Sequence, residues 1–148
     1  MKNILIFQSK SFDLTWPNVG SDGKEHPMGK DVAAFFQKKF LERGFKPTYI
    51  DEEFDGWEFN VEVLNIDYIV HVRFLTLGNA LNDYWIVEPR KCVGFFQMFF
   101  GKKNTFSDCD PVIKALDAIS RELPEVEDIQ WIDTDQFEDY LRLAREVK

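Results

Sequence analysis

Imidazole and thiol groups are scarce in this sequence: His26, His71, Cys92 and Cys109 are all that it contains. Two histidines cannot furnish a three-imidazole metal centre. The carboxylate pairs Asp108/Asp110 and Asp133/Asp135 read better as helix caps than as ligands of a hard cation. No metal and no cofactor is therefore expected. Two cysteines allow one disulfide at most, which excludes a stapled secreted scaffold and favours free thiols in a cytoplasmic setting. Cys92, beside Arg90 and Lys91, has the better electrostatics for a thiolate, with His71 as its one candidate base. Cys109 lies between two aspartates that oppose ionisation, and a buried structural thiol is the common case for both.

Long apolar runs are also missing. Ile4–Phe7 is too short for a signal-peptide core, and Val93–Phe100 is broken by Gly94 and Gln97, so no membrane segment is expected. The same Val93–Phe100 run fits a strand and a helix equally well. A phosphate-binding loop is absent too. Five residues rather than four separate Gly23 from Gly29, and Asp31 stands where a hydroxyl residue is needed. Positive charge is in deficit, with 18 Lys and Arg against 26 Asp and Glu, a net of −8. That balance argues against direct nucleic-acid binding, because the field repels phosphate. The imbalance is concentrated in residues 108–148.

Aromatic residues, by contrast, are abundant: 15 Phe and 4 Trp among 148 residues, enough for one well-filled domain with some rings at the surface. Asn3–Gln8 reads as a buried strand. A polar stretch from Ser9 to Met28 follows, long enough to be a functional loop. Val32, Phe36 and Phe40 recur at helical spacing from Lys30 to Arg43, and Gly44 ends that helix. Lys46–Ile50 is a short candidate strand. Trp57, Phe59, Val61 and Val63 alternate with Glu58, Asn60 and Glu62, as in a strand with one face on a core. Tyr68–Leu75 and Tyr84–Val87 are further strands, the second closed by Pro89. Asp110 and Pro111 predict a helix start, with Val112, Leu116, Ile119 and Leu123 as its buried stripe. Ile129–Ile132 is a short strand. Asp133 with Gln136 predicts a capping box for a third helix, whose apolar face includes Phe137, Tyr140 and Leu141. Short connections favour antiparallel pairing. The expected fold is therefore α+β: a single domain over residues 1–148, with a mainly antiparallel sheet of four to six strands and about three helices.

Two acidic surfaces with nearby rings stand out. One joins Asp133, Asp135, Glu138 and Asp139 to Trp131, and the other joins Glu52, Glu53 and Asp55 to Trp57. The segments Gly29-Lys30-Asp31-Val32, Arg43-Gly44-Phe45 and Asp55-Gly56-Trp57, with the later Ile129-Gln130-Trp131, resemble stretches of small uncharacterised bacterial proteins. A compact acidic α+β chain without catalytic residues is similar to bacterial immunity proteins that neutralise toxins. That resemblance implies tight binding to a toxin, often by an acidic face that occludes a basic nucleic-acid site.

The function expected is therefore a non-enzymatic protein-binding module, most specifically an immunity protein with a basic protein partner. No catalytic residue is assigned. One alternative is a small-ligand or catalytic pocket beneath the 9–28 loop, lined by Trp16, His26 and Trp57. Another is an inhibitor that mimics nucleic acid. Neither the partner's identity nor the oligomeric state follows from the residues.

Overall fold

The computed structural model describes residues 2–13, 18–19, 21–75, 84–92 and 106–146. Strand β1 (Ile4–Ser9) is followed by a small ribbon, β2 (Asn18–Val19) with β3 (Glu25–His26). Helix α1 (Lys30–Glu42) leads to four strands, β4 (Asp51–Glu53), β5 (Gly56–Val63), β6 (Ile66–Leu75) and β7 (Tyr84–Lys91). Helix α2 (Phe106–Ser120), strand β8 (Val126–Ile132) and helix α3 (Thr134–Glu146) complete the described elements. Six strands form one antiparallel sheet in the order β4-β5-β6-β7-β1-β8. With three helices among the described residues, this is the single-domain α+β fold that the alternation and short connections predict.

The strict period of two in β5 places Trp57, Phe59, Val61 and Val63 on one face, all of them buried. Register carries that face across the sheet to Tyr68, Val70 and Val72, then to Trp85, Val87, Leu5 and Phe7. Helix α1 closes it with Val32, Ala33, Phe36 and Phe40, and α2 adds Val112, Leu116 and Ile119. Fully burying side chains of this size is worth about 1.5–3 kcal/mol each, so this layer dominates the fold's stability. Phe12 belongs to it as well, edge-on to Phe7, Phe35 and Trp85. It anchors the start of the polar stretch; Leu14 and Trp16 lie outside the described residues.

The other face divides in two. Over β7, β1 and β8, the residues Tyr84, Ile86, Ile4, Ile6 and Ile132 bury Phe137 of α3, with Tyr140 and Leu141 packed beside them. Over β4, β5 and β6 that face is polar.

Several boundaries differ from expectation for local reasons. Helix α2 begins at Phe106, so Pro111 lies inside it rather than at its first position. The acidic turn before Trp57 is a hairpin, with β4 pairing to β5 and Phe54-Asp55 as the connection. Lys46–Ile50 forms no strand, although Thr48 N donates to Asn60 O at 2.8 Å. Strand β7 runs through Pro89 to Lys91 because β1 begins only at Ile4, opposite the stretch ending at Val87. From there β7 has a neighbour on one side only, where a missing N–H is tolerated. The expected capping box is present: Gln136 N donates to Asp133 Oδ1 at 2.8 Å, and Asp133 N donates to Gln136 Oε1 at 3.1 Å. Val93–Phe100 lies outside the described residues.

The candidate acidic face

The polar half-face is built by register. Residues paired across an antiparallel sheet share a face. Asp51, Glu58, His71 and Glu88 therefore form one row across β4, β5, β6 and β7. Asn60, Ile69 and Arg90 form the next row, and Glu62 with Asp67 the one beyond it. Glu53 opposes Gly56 beside Arg73, and Asp55 sits in the hairpin turn. Seven carboxylates thus meet two guanidinium groups and one imidazole on this half-face, which α3 meets at Arg73 and Leu75.

One of the two guanidinium groups reaches α3. Arg73 contacts Asp55 at 3.2 Å and Glu88 at 3.5 Å, and its guanidinium lies 4.6 Å from the centre of the Phe137 ring. Arg90 contacts Glu88 at 3.1 Å. The His71 ring touches Asp55 at 3.0 Å and Glu58 at 3.3 Å, the satisfied sheet histidine that its apolar neighbours suggest. Burial pushes the Asp55 carboxyl up, but His71 and Arg73 outweigh that and bring it below the ordinary aspartate value. Elsewhere on the half-face carboxylates oppose one another across strands. Glu62 lies directly opposite Asp67, and Asp51 opposite Glu58. A hydrogen bond to Glu58, together with its charge, raises the Glu53 carboxyl above the ordinary value.

Like charges directly opposed across strands destabilise a sheet. The arrangement thus works against folding energy at the positions farthest from α3.

The expected site residues divide between the two sides of the sheet. Glu53 and Asp55 belong to the acidic half-face. Glu52 and Trp57 turn the other way: Glu52 Oε1 is 2.7 Å from His26 Nδ1, and Trp57 is buried, its indole N–H donating to Pro27 O at 2.8 Å. On α3, Asp135, Glu138 and Asp139 are exposed on the helix beside the acidic half-face, while Asp133 serves as the cap. Trp131 lies on the opposite side, paired with Leu5, its indole N–H donating to Asp117 Oδ1 of α2 at 3.0 Å. The α3 acids and the β4–β5 acids therefore share one side of the sheet, joined through Arg73 on Phe137, whereas both tryptophans are committed elsewhere.

The rings available at the surface are ones the pattern did not single out. Phe54, in the hairpin turn, is 102% exposed, and Tyr49 just before β4 is 89% exposed. A phenylalanine beside the acidic run Asp51-Glu52-Glu53 was the available signal.

At the start of α1 a cavity of about 380 Å³ is lined by Asp13, Gly29, Lys30, Asp31 and Ala34. Its polar groups serve the fold: Asp31 accepts from Asp13 N at 2.7 Å and from Val32 N at 2.9 Å. His26 and Trp57 sit with ring centres 6.3 Å apart, but the His26 nitrogens are held by Asp22 and Glu52. Trp16 lies outside the described residues. Cys92 is partly buried, and burial, followed by the charges of Asp67 and Glu58, raises its thiol above the ordinary value. The structure therefore reverses the favourable electrostatics expected from Arg90 and Lys91. Among the described residues no group of three or more His, Cys, Asp or Glu side chains is placed to hold a metal ion. No described helix is long and apolar enough to cross a membrane. No family model, curated protein or solved structure matches the chain, so the geometry of this face is the guide to its function.

Proposed function

We propose that the protein is a non-enzymatic binding module that engages a basic protein through its acidic half-face and the adjoining surface of α3. The observation that supports this most is the direct opposition of Glu62 to Asp67, both exposed, and of Asp51 to Glu58. Like charges opposed across strands are unfavourable, and an incoming cation offsets them. The exposed rings Phe54 and Tyr49 supply desolvated contact at the margin, a role in which aromatic residues are effective. In its most specific form the reading is a cytoplasmic immunity protein whose acidic face blocks the basic nucleic-acid site of a toxin. An inhibitor that mimics nucleic acid would present the same charge. A pocket reading finds less support, because the polar groups near the cavity are already bonded within the protein.

The test is capture of partners by the tagged full chain at low and at moderate salt, repeated with Glu62→Lys/Asp67→Lys. A stoichiometric basic partner, lost as salt rises and lost to the double variant, is the expected result. Unchanged capture by that variant at both salt concentrations rejects the proposal.

A further inference from the structure

The segment that leads into α1 is fastened to the sheet through a histidine. Residues 21–29 run from the turn of the β2–β3 ribbon, through β3, to the start of α1. At the inner end the chain is packed tight. Gly29, at φ 112°, lies so close to the core that a Cβ there would stand 3.3 Å from the Trp85 ring. Further out, Pro27 O accepts the Trp57 indole N–H at 2.8 Å, and the His26 and Trp57 ring centres are 6.3 Å apart. These contacts leave Trp57 only 7% exposed.

His26 bridges carboxylates of two different elements. Its Nε2 is 3.0 Å from Asp22 Oδ1 in the ribbon's own turn, and its Nδ1 is 2.7 Å from Glu52 Oε1 on the edge strand β4. A carboxylate only accepts hydrogen bonds, so each ring nitrogen must carry a hydrogen, and imidazolium alone has both. A neutral ring turns a lone pair toward one of the two carboxylates and loses that contact. Hydrogen bonds to Asp22 and then to Glu52 raise His26 above its ordinary value. The bridge is therefore complete at lower pH and fails as pH rises through that raised value. Among the described residues, Asp22 and Glu52 are the charged groups bonded to the ring. From α1 the Lys30 ammonium lies over Trp57, 5.2 Å from the ring centre. His71, the chain's other imidazole, meets Asp55 and Glu58 on the opposite face of the β4–β5 hairpin.

We infer that β3 is a pH-sensitive latch on the edge strand β4: imidazolium at His26 holds residues 21–27 against Glu52 and over Trp57, and loss of its proton frees them to lift. Its contacts lie away from the acidic half-face, so the latch does not depend on the partner proposed there.

The experiment follows hydrogen exchange of the Trp57 and Trp131 indole N–H groups in the isotope-labelled full chain, near pH 6 and near pH 8.5. Each rate is expressed as protection relative to free indole at the same pH. Trp131 donates to Asp117 Oδ1 of α2 and reports opening of the whole fold. Protection of Trp57 should fall by about two- to fivefold between the two pH values, the range for a solvent-accessible ion pair, while that of Trp131 stays level. His26→Gln should make Trp57 protection independent of pH. Glu52→Gln keeps the Asp22–His26 contact, which stays within the ribbon when it lifts, yet should also abolish the fall. Unaltered Trp131 protection shows that either variant is folded. Equal falls at both indoles, no fall in the parent protein, a fall that persists in His26→Gln, or a Trp57 indole already unprotected near pH 6 would each overturn the latch.

Discussion

The two faces of strand β5 differ in what their residues do. One presents Trp57, Phe59, Val61 and Val63 to a closed apolar layer, and the other presents half-exposed Glu58 and exposed Asn60 and Glu62 to a surface rich in carboxylates. Stability resides on the first face. The second includes pairings that oppose stability, and it is there that the case for binding rests. The comparison teaches that a single alternating strand can separate folding from function with no change of backbone.

Substitutions on the apolar face should have the largest effects. Phe59→Ala leaves a cavity under α1 beside Phe40 and should cost about 3–5 kcal/mol in chemical denaturation. Partner affinity per folded molecule should be unchanged. Gly56→Ala should destabilise by about 2–3 kcal/mol, because a Cβ there would meet the Val72 carbonyl oxygen at 2.0 Å. Asp133→Ala removes the reciprocal cap of α3 and should cost about 1 kcal/mol by the same measurement.

At the opposed pair Glu62/Asp67 the sign should reverse. Glu62→Lys replaces a like-charge pair by an attractive one and should raise stability by about 0.2–0.5 kcal/mol while weakening partner binding. A fall in stability with unaltered affinity would erase the contrast between the faces.

A smaller, pH-dependent effect belongs to the opposite face of the same sheet edge. Hydrogen bonds that its ring donates to the Asp22 and Glu52 carboxylates raise His26 above its ordinary value. A raised folded pKa contributes stability that is fully present below about pH 6.5 and is lost as pH rises through the folded value. His26→Gln should therefore lower the melting temperature near pH 5.5, with the difference from the parent protein shrinking near pH 8.5.

Much of the fold was legible because periodicity is local. The alternation in β5, the helical spacing of Val32, Phe36 and Phe40, and the Asp133/Gln136 cap are all set by neighbours within a few residues. The site was less legible because register and layer order are not local. Nothing near Trp131 in sequence says that it faces Asp117 of α2 while α3 lies on the other side of the sheet. Trp57 likewise follows the acidic run directly, yet the pleat turns it into the core and away from Glu58. Pro89 and Pro111 misled for a related reason. A strand proline is judged by the backbone partner it deprives, which the paired strands decide, and a helix proline by how many turns precede it, which depends on where the helix starts. The rows linking Asp51, Glu58, His71 and Glu88 exist only once four strands are in register.

The measurement that tests the central claim most directly is the salt dependence of affinity for the captured basic partner. It should compare Glu62→Lys/Asp67→Lys with a control, Glu25→Lys/Glu42→Lys, that makes the same change in net charge away from the acidic face. The prediction is that the first variant loses at least about tenfold in affinity with a flattened salt slope, while the control stays near the parent protein. Equal losses in both variants would mean that only net charge matters, and would contradict a dedicated acidic face.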